Sequence, residues 1–390
     1  MIEKELTIVN LFGGIGAFDK ALEKLGVNTK IVDYVDKDVY ATNAYNSMYG
    51  TDFVPTNIEN YEPSIKNPTF MTISSPCEWA SNGKFVKSKK STKTQLNYLT
   101  KIVEIVKKVK PKILFFENVD SIENKNNCDE YALFIHNLNC LGYKLNSVKL
   151  CATDFNLPQS RTRVLLYGYH KESDITLPLN KFPMPVKLET SILDFLEKDV
   201  EPYYYLDTID LIGTKKYNLC QKLLSSGLLK EGYIINHSYT GNVDDNNLSK
   251  HILSTNHIMP TLTTRCDIYG VVVRDRFGNL RIRKLTPKEC WRLQGYDDTD
   301  FEKAKKTVQR MRDNDVLDND IILYRMAGNS IPINMLVSFI QVALPSYCAS
   351  VIQPQQINNK RVKKNLFKLF WKNSTIVVGG KNVEIKERAS

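Results

Sequence analysis

The sequence predicts an α/β fold with a doubly wound sheet, followed by a second, smaller domain. Over the first 170 residues, short apolar segments alternate with segments of helical period. This alternation is typical of a sheet that is covered by helices on both faces. After about residue 185 the alternation is lost, and prolines, tyrosines and Asn/Asp-rich loops replace it. We therefore expect the large domain to end near residue 185.

The first strands and helices follow one another within 75 residues. ELTIVNLF is strand-like, and AFDKALEKLG has a helical period that ends at Gly26. TKIVDYVD predicts the second strand, and DVYATNAYNSMYG predicts a helix that ends at Gly50. Glycine commonly follows the last turn of a helix, so both helix ends have a physical basis. FMTIS then predicts a third, short strand.

The second half of the sheet is predicted by the next hundred residues. QLNYLTKIVEIVKKVKP places Leu96, Leu99, Val103 and Val106 at helical spacing. KILFFENV is apolar enough for a strand that is buried on both faces. EYALFIHNLNCLGY predicts a helix, and KLNSVKL and VLLYGY predict two strands that flank a polar turn. Apolar periodicity returns in LTPKECWRLQG and NMLVSFIQVAL.

Charge and composition indicate the kind of partner. The formal net charge is +10 over 390 residues, which favours a polyanionic partner. Residues 351–390 contain nine Lys/Arg and two Asp/Glu, a net of +7, so most of the excess lies in this basic C-terminal extension. Its STIVVGGKNVEI segment has the pattern of a hairpin. A basic extension is also commonly a solvated tail, and the sequence leaves both interpretations open.

Cysteine usage and hydropathy indicate a cytoplasmic protein. The eight cysteines include no CxxC pair, and the N-terminus lacks the apolar region of a secretory signal. We therefore expect reduced thiols in a cytosol. No uninterrupted apolar run reaches the roughly 18 residues that span a membrane. The five histidines form no cluster with cysteine or acid, so we expect no metal site.

Two features at strand ends predict a cofactor that contains a nucleoside. The first strand runs into the glycine-rich turn Phe12-Gly13-Gly14-Ile15-Gly16, which lets the backbone approach a ligand closely. The second strand ends at Asp36, twenty residues after Gly16, the usual distance of an acid that binds a ribose. A glycine turn with a purely structural role is about as common. The pair of features favours the nucleoside and leaves its identity open.

Cys77 and Glu117 lie where the third and fourth strands end, in SSPC and FFENV. Ligands of open parallel sheets bind at the carboxyl ends of the strands. A lone cysteine is commonly a buried thiol, and an acid at a strand end commonly caps the next helix. Together, beside a nucleoside pocket, they suit attack by a thiolate with assistance from an acid.

A pair of arginines, Arg161 and Arg163, precedes the last strand of the large domain in LPQSRTRVLLYG. Alternate residues of a strand point to one face. The pair is either a solvated strand end or two guanidinium groups that face an anionic or carbonyl-rich substrate.

Taken in order, these stretches resemble the DNA cytosine-C5 methyltransferase family. The matching blocks extend from residue 10 to about residue 333 in the usual order of the family: NLFGGIGAF, the acid of YVDKD, SPCEWAS, FFENV, LPQSRTRVLLYG, RKLTPKECWRLQGYDD and AGNSIPI. Seven ordered blocks are far more specific than any one of them. The resemblance implies a Rossmann-like methyltransferase sheet, S-adenosylmethionine as the cofactor and DNA as the partner.

The resemblance assigns a role to each catalytic candidate. Cys77 would attack C6 of a cytosine, which activates C5 to take the methyl group of S-adenosylmethionine. Glu117 would hold N3 and the exocyclic amine, Arg163 would hold O2, and Arg161 would support the thiolate and its loop. Gln159 matches the same motif as the arginines. The target base is inaccessible inside a duplex, so it would be flipped out.

The resemblance also implies a cofactor site and a division into domains. Residues 323–350 would return to complete the catalytic domain of residues 1–185, and residues 186–322 would form the target-recognition domain. The cofactor-binding positions implied by the family blocks are Phe12, Gly14, Gly16, Asp36, Asn57, Pro76, Leu96, Asn329 and Ser330.

Four positions depart from the family pattern. Asn10 stands where an acid is common, and Lys37 where a bulky apolar side chain often covers the adenine. Asn57 stands where an aspartate usually binds the adenine amine, and Glu78 replaces a glutamine. These changes bear on cofactor affinity and on base flipping. The loop after Cys77 carries a group of lysines that we expect to contact DNA phosphates: Lys84, Lys87, Lys89, Lys90 and Lys93.

The sequence therefore predicts a monomeric, sequence-specific DNA (cytosine-5)-methyltransferase of a bacterial restriction–modification system or a phage, where a cognate restriction endonuclease can accompany it. Three alternatives remain: a relative that acts on RNA, a DNA-binding relative without activity, and an oxidoreductase on the same fold. The variable region of roughly 110 residues before RKLTPKEC favours DNA, because duplex readout needs a recognition surface. The oxidoreductase leaves Cys77, Glu117 and the arginines unexplained.

Overall fold

The structure, a computed structural model, describes residues 5–76, 89–125, 127–208, 211–212, 214–237, 245–312, 316–348, 375–378 and 381–384. The chain divides into two units, Met1–Ala349 and Ser350–Ser390. The strands within the described residues are β1 (Leu6–Leu11), β2 (Thr29–Val35), β3 (Phe70–Ser74), β4 (Ile113–Val119), β5 (Tyr143–Cys151), β6 (Gln159–Ser160), β7 (Thr162–His170), β8 (Ile234–Asn236), β9 (Ile252–Ser254), β10 (Met259–Pro260), β11 (Tyr269–Arg274), β12 (Leu280–Lys284), β13 (Thr375–Val378) and β14 (Lys381–Glu384). The α-helices there are α1 (Ala17–Lys24), α2 (Val39–Tyr49), α3 (Lys89–Val109), α4 (Cys128–Cys140), α5 (Lys215–Ser225), α6 (Pro287–Leu293), α7 (Asp298–Met311), α8 (Val316–Asn329) and α9 (Ile333–Ala343).

The centre of the first unit is a mainly parallel sheet with the strand order β2-β1-β3-β4-β7-β5. Strands β1, β2, β3 and β4 are parallel to their neighbours, whereas β7 is antiparallel to both β4 and β5. The short connection from β5 to β7 explains the reversal, because a parallel pair would need a crossover of a dozen or more residues. The α/β fold class predicted from the sequence is confirmed.

Successive residues of the central strands fill two different cores, one on each face of the sheet. Ile113 and Phe115 of β4 lie in the cluster that contains α1 and α9, whereas Leu114 and Phe116 lie in the cluster that contains α3 and α4. Because side chains alternate across a strand, a strand that is apolar at every position has helices on both faces. This packing is what the run KILFFENV predicts.

The predicted helix ends coincide with left-handed glycines. Gly50 follows α2 with φ 69°, and Gly26 follows α1 by two residues with φ 64°. Helix α3 begins at Lys89, several residues before the predicted start, and ends at Val109. Its residues Leu99 and Val106 are buried as the helical spacing predicts.

A smaller antiparallel sheet with the order β12-β11-β8-β9 follows the large one. Helix α5 covers it, and residues from both fill a separate core that includes Leu223, Val272 and Ile282. The chain then enters α6, whose start is fixed by a capping box between Thr286 and Glu289.

The last helices of the first unit return to the large sheet. Lys303 of α7 donates a hydrogen bond to the Met48 carbonyl at 3.1 Å. Lys20 of α1 forms an ion pair with Asp300 at 3.0 Å, and α9 packs on α1 within the core. Helices α7 and α8 were not predicted individually from the sequence.

Within the described residues, one helical span, Asn319–Ala343, is long and apolar enough to cross a membrane by length and composition. About 67% of its most apolar window is buried within the protein. Its residues Leu323, Ala327, Leu336 and Phe339 belong to the core beside α1, which accounts for the apolar composition. In the second unit, β13 and β14 pair as an antiparallel hairpin, as the sequence indicates.

Candidate active site

Glu117 and Arg163 form a buried ion pair at the carboxyl end of β4. Strand β7 runs antiparallel to β4 and places Arg163 opposite Val119, two residues beyond Glu117. The distance from Arg163 Nε to Glu117 Oε1 is 3.0 Å, and both side chains are 8% exposed. Burial raises the pKa of Glu117, while the charges of Arg163 and Arg161 act in the opposite direction. Glu117 therefore keeps its proton to a higher pH than an ordinary glutamate.

Asn118 fixes the end of the neighbouring strand, which leads to Cys77. Ser74 of β3 pairs with Glu117. The Asn118 side-chain amide donates to Ser75 Oγ at 2.9 Å and to the Ser75 carbonyl at 3.2 Å. The described chain includes Pro76, and Cys77 follows it. The strand end that carries the cysteine is thus attached to the strand end that carries the acid.

Several predicted residues lie outside what the structure describes. Cys77, Glu78 and the lysines Lys84 and Lys87 are among them. Leu96 and the lysines Lys89, Lys90 and Lys93 belong to α3, but their side chains are not among those described. Their assigned roles stay predictions.

Arg161 binds backbone carbonyls from two later parts of the chain. Its Nη1 donates to the Leu262 carbonyl at 2.6 Å, and its Nη2 donates to the carbonyls of Gly328 at 2.9 Å and Ser330 at 2.6 Å. The side chain is only 2% exposed. Sequence reasoning placed both arginines on one face; in the structure Arg163 binds the acid, and Arg161 joins three segments of chain.

Gln159 makes a second attachment of the same kind. It is fully buried, donates from Nε2 to the Leu293 carbonyl at 3.0 Å, and accepts from the Leu262 amide through Oε1 at 3.1 Å. Its strand β6 also pairs with β10. The LPQSRTR block therefore holds the later segments against the site.

A small cavity of about 20 Å³ lies at the ends of β1 and β2. Sites that enclose a whole drug-sized ligand measure roughly 300–1,000 Å³, so this place is marked by the residues around it and not by its volume. The residues that line it are Phe12, Val35, Asp36, Lys37, Thr56, Asn57, Ile58, Pro76 and Tyr98.

Four of these lining residues were predicted from the sequence: Phe12, Asp36, Asn57 and Pro76. Tyr98 was not, because it lies in a helix with the pattern of an ordinary core helix. Its ring contacts Phe12 edge to face, with centroids 5.9 Å apart. The two rings are nearly perpendicular, at 80°, so a base can stack on the face of only one of them.

Asp36 is positioned as an acceptor at the end of β2. Its Oδ2 accepts from the Gly14 amide at 2.9 Å and its Oδ1 from the Asp38 amide at 2.8 Å. Burial raises the pKa of Asp36, and the two backbone hydrogen bonds oppose that rise. A carboxylate has about four lone-pair positions, so both oxygens can still accept from the hydroxyls of a ribose. The residues present fit a nucleoside.

Two tyrosines hold the glycine turn from beneath. Tyr34 Oη donates to the Gly14 carbonyl at 2.6 Å, and Tyr49 Oη donates to the Gly16 carbonyl at 2.8 Å. A Cβ at Gly13 would lie 2.4 Å from the Tyr34 ring, and one at Gly16 would lie 2.6 Å from the Tyr49 ring. The turn therefore needs glycine at both positions. Sequence reasoning missed these tyrosines, which resemble core residues in their apolar segments.

Asn10, a departure from the family pattern, belongs to a buried polar network below this turn. Its Nδ2 donates to Asp19 Oδ2 at 2.8 Å, and its Oδ1 accepts from Thr72 Oγ1 at 2.6 Å. Tyr45 Oη also donates to Asp19 Oδ2, at 3.1 Å. Asp19 Oδ1 has no hydrogen-bond partner among the described residues. Burial raises the pKa of Asp19 to about 6.

The return segment reaches the same turn through Tyr296. Tyr296 Oη lies 3.4 Å from the Ile15 carbonyl and 3.0 Å from Ser330 Oγ. Ser330 is buried, whereas Asn329 is exposed. Neither lines the cavity at β1 and β2. Ser330 is thus brought to the glycine turn, and a contact of Asn329 with the cofactor stays a prediction.

Fold and site together define an α/β enzyme whose sheet carries a glycine turn with an acid at the ends of β1 and β2 and a buried carboxyl–guanidinium pair at the end of β4. The family model for C-5 cytosine-specific DNA methylase matches residues 6–343, and the chain belongs to this family. It is a DNA (cytosine-5)-methyltransferase, and the methyl donor of the family is S-adenosylmethionine. The predicted family, enzyme class and cofactor are confirmed.

Relatives cover nearly the whole first unit. The type II methyltransferase M.HhaI of Haemophilus parahaemolyticus is 27% identical over 344 residues, which cover 86% of this chain and 94% of the relative. The type II methyltransferase M2.ScrFI of Lactococcus lactis subsp. cremoris is 29% identical, with 82% and 76% covered. The orphan methyltransferase M.SPBetaI of Bacillus phage SPbeta is 23% identical, with 88% and 98% covered.

Solved structures support the fold. The Entamoeba histolytica methyltransferase EhMeth superposes with a TM-score of 0.61 at 15% identity, and covers 88% of this chain and 99% of its own. A putative DNA modification methyltransferase encoded within an Escherichia coli prophage superposes with a TM-score of 0.56 at 16% identity, with 85% and 98% covered. At these identities the likeness concerns the fold alone.

Proposed function

We propose that the protein is a sequence-specific methyltransferase that acts on a cytosine flipped out of double-stranded DNA, through a covalent bond between Cys77 and C6. The observation that carries the proposal is the buried Glu117–Arg163 pair, attached by Asn118 to the strand end that precedes Cys77. A buried carboxyl with a raised pKa, the guanidinium beside it, and Cys77, which follows the attached strand end in the chain, would supply the three groups that the reaction needs.

The chemistry would proceed in three steps: addition, uptake of the methyl group and elimination. The Cys77 thiolate attacks C6, and the ring electrons move toward C5 as Glu117 gives its proton to N3. S-adenosylmethionine, when bound, supplies the methyl group that C5 takes up. A base then removes the C5 proton, the C5–C6 double bond forms again as the thiolate leaves, and N3 returns its proton to Glu117.

The structure supports a division of work between Glu117 and Arg163. Burial favours the protonated form of Glu117, which is the form that can donate to N3. Arg163 uses Nε for Glu117 and Nη1 for the Thr162 carbonyl, at 2.7 Å. Its Nη2 can therefore donate to the cytosine O2. Arg161 would support the loop that contains Cys77, from its position between the carbonyls of Leu262, Gly328 and Ser330.

The cofactor would bind at the residues that line the small cavity at β1 and β2. Phe12 and Pro76 would contact the adenine, Asp36 would accept from the ribose, and Asn57 would receive the adenine amine. Asn57 Oδ1 already accepts the Glu59 amide at 3.1 Å, and the second lone pair of this oxygen can accept from the adenine amine. Gly14, Gly16, Leu96, Asn329 and Ser330 complete the proposed site by similarity.

The proposed domain division follows the sequence: a catalytic domain of residues 1–185 completed by 323–350, a target-recognition domain of residues 186–322, and a basic extension of residues 351–390. Contacts of α7 with α1 and α2 support docking of the recognition domain on the catalytic domain. The type II and phage names of the relatives support a restriction–modification or phage context in a cytoplasm. A cognate endonuclease and a monomeric state are part of this proposal.

Transfer of a labelled methyl group tests the proposal. The protein is incubated with labelled S-adenosylmethionine and either DNA that carries many short sites or RNA. We expect label in DNA only, and none with Cys77→Ser. Label in RNA alone, or DNA binding without transfer, would contradict the proposal. DNA with 5-fluorocytosine should trap a covalent adduct, because fluorine at C5 blocks the last elimination.

The lysines after Cys77 are tested by salt dependence. If Lys84, Lys87 and Lys90 contact phosphates, changing the three to alanine should flatten the dependence of DNA affinity on salt concentration, because fewer counterions are released. An unchanged slope would remove these lysines from the proposed DNA contact.

A further inference from the structure

The segment Thr261–Tyr269, here named the 261–269 loop, connects β10 to β11 and is anchored beside the active site. Thr261 Oγ1 donates to the Ser160 carbonyl at 2.5 Å. Leu262 is held from both sides, by Gln159 at its amide and by Arg161 at its carbonyl. The loop therefore begins on the same strand segment that supplies the arginines.

The far part of the loop is also fixed. A Cβ at Gly328 would lie 2.2 Å from the Thr263 carbonyl oxygen, so the loop backbone packs directly on α8. The Arg265 amide donates to Thr263 Oγ1 at 3.2 Å. Tyr269 Oη donates back to the Thr261 carbonyl at 3.1 Å. A loop held at both ends and in its middle presents its outer side chains in fixed positions.

Arg265 is the exposed cation of this loop. Its side chain is 67% exposed, and Asp267 binds it along one edge: Nε to Oδ1 at 2.9 Å and Nη2 to Oδ2 at 3.1 Å. Burial would raise the pKa of Asp267, but the Arg265 guanidinium outweighs it and lowers that pKa. Asp267 is therefore ionised and holds the plane of the guanidinium.

The contact with Asp267 decides which part of Arg265 can meet a ligand. A guanidinium carries five N–H donors in a rigid fork. Asp267 takes the Nε–Nη2 edge, which leaves the Nη1–Nη2 end with two parallel donors. Two parallel donors at a fixed angle match O6 and N7 of guanine in the major groove. A phosphate also accepts a bidentate guanidinium, but such a contact is the same on every DNA sequence.

The position of Arg265 relative to the active site also suits a base contact. Arg265 follows Leu262 by three positions, which limits their Cα atoms to about 10 Å apart. Leu262 is itself bonded to Arg161, two residues before the arginine that binds Glu117. The loop therefore places its cation within a few base pairs of a cytosine held at Glu117.

We propose that Arg265 reads a guanine close to the target cytosine through Nη1 and Nη2, and that Asp267 is the positioning residue that orients it. This inference rests on the proposed function, because it needs duplex DNA as the substrate. It assigns a specificity-determining residue to the 261–269 loop.

Site preference is measured first on the wild-type protein. A plasmid library with randomised bases around cytosines is methylated, and bisulfite sequencing gives the preferred bases at each position. Arg265→Ala, Arg265→Lys and Asp267→Asn are measured in the same way. Arg274→Ala is the matched control, because Arg274 is 52% exposed on β11 and pairs with Glu231 at 3.3 Å.

We expect Arg265→Ala to lower kcat/KM by about 5- to 150-fold on sites with one particular guanine, and to relax the preference at that position only. Arg265→Lys should not restore the preference, since an ammonium cannot bind bidentately. Asp267→Asn should reduce discrimination more than overall DNA binding. Arg274→Ala should keep the wild-type preference.

The wild-type protein provides a test without any variant. With 7-deazaguanine at each guanine of the preferred site in turn, methylation should fall at one position, where N7 is needed. An equal loss on all sequences, with a salt slope reduced by about one, would make Arg265 a phosphate contact and overturn the proposal. An unchanged preference would also overturn it. Absence of any DNA methylation by the wild type would overturn the proposed function as well.

Discussion

The two ends of the active edge of the sheet are held in different ways. At the β4–β7 end, the buried Arg163 binds the carboxyl of Glu117, which lies 46 residues earlier in the chain. The buried Arg161 binds three carbonyls, the most distant of which, that of Ser330, lies 169 residues later. At the β1–β2 end, tyrosine hydroxyls bind the glycine turn, and the partners lie only 20 and 33 residues apart.

The difference is one of charge and of range. A buried charge has lost its hydration, so removal of the charge or of its partner has a large effect on stability or on the pKa of the remaining group. A tyrosine hydroxyl exchanges one neutral hydrogen bond for another, with a net effect of about 1 kcal/mol. The β4–β7 end, here named the charged end, therefore supports the chemistry and joins distant segments of the chain. The β1–β2 end, where the tyrosine hydrogen bonds are neutral and which is here named the neutral end, sets the shape of the glycine turn.

The largest effect is expected for Glu117→Gln. The amide keeps the size of the side chain but cannot give a proton to N3, so kcat should fall by about 10²- to 10⁴-fold. The wild-type rate should also fall as pH rises through the raised pKa of Glu117, and the variant should lack this limb. The measurement is methyl transfer at saturating DNA and cofactor.

Glu123→Gln is the control for this variant, since Glu123 forms a partly exposed ion pair with Lys149 at 2.9 Å. It should transfer methyl groups at nearly the wild-type rate. A kcat of Glu117→Gln within tenfold of the wild-type value would show that Glu117 is not the acid of the reaction.

Arg161→Ala should have the next largest effect, on stability. It leaves three buried carbonyls without their charged donor, and we expect the free energy of unfolding to fall by about 3–5 kcal/mol. Chemical denaturation measures this. The matched change Arg281→Ala removes a more exposed pair with Asp207, and should lower the free energy of unfolding by about 1 kcal/mol or less. Equal losses would contradict the comparison.

Asp19→Asn tests the buried acid below the glycine turn, at the β1–β2 end. The pKa of Asp19 in the folded protein is about 6, above its ordinary value of 3.8. The folded state then binds more protons than the unfolded state between these values, so stability is fully present below pH 4 and is lost as pH rises to about 6. The two-unit shift corresponds to a loss on the order of 3 kcal/mol.

The variant should not show this loss. Relative to the wild type, Asp19→Asn should gain free energy of unfolding between pH 4 and pH 6 and then stay constant at higher pH. Asp52→Asn, at an exposed position after α2, is the control for the change of charge. A constant difference across this range would show that folding does not raise the pKa of Asp19.

The smallest effects are expected for Tyr34→Phe and Tyr49→Phe. Each removes one hydrogen bond to a carbonyl of the glycine turn, so the Kd for S-adenosylmethionine should rise by about 2- to 10-fold. Titration calorimetry measures this directly. Tyr40→Phe, on the same helix as Tyr49, is the control. A 100-fold rise in Kd would mean that a tyrosine hydrogen bond at the β1–β2 end has as large an effect as a buried charge at the β4–β7 end.

The alternation of strands and helices was enough to predict the α/β fold, because each element buries its own apolar pattern. The rule for parallel strand ends placed Phe12, Asp36 and Glu117 at one edge, and the structure places them at strand ends there. These predictions depend only on chain order and on local periodicity. Both are visible in one sequence.

The pairing of side chains could not be predicted in the same way. Arg163 meets Glu117 because β7 is reversed and in one particular register, and alternation alone does not fix a register. Tyr34, Tyr49 and Tyr98 lie in apolar segments, where a tyrosine that binds a turn looks like one that fills a core. The three carbonyl partners of Arg161 are backbone atoms, which leave no trace in a sequence.

That last property has a consequence for how such proteins diverge. Gln159 and Arg161 attach the 261–269 loop through backbone groups, which every replacement short of proline would still offer. Exposed side chains of the loop can therefore change from one lineage to another without loss of the hydrogen bonds that attach the loop to Gln159 and Arg161. A chain built in this way can acquire new target sequences by local drift or by exchange of short segments, while the reaction it catalyses stays the same.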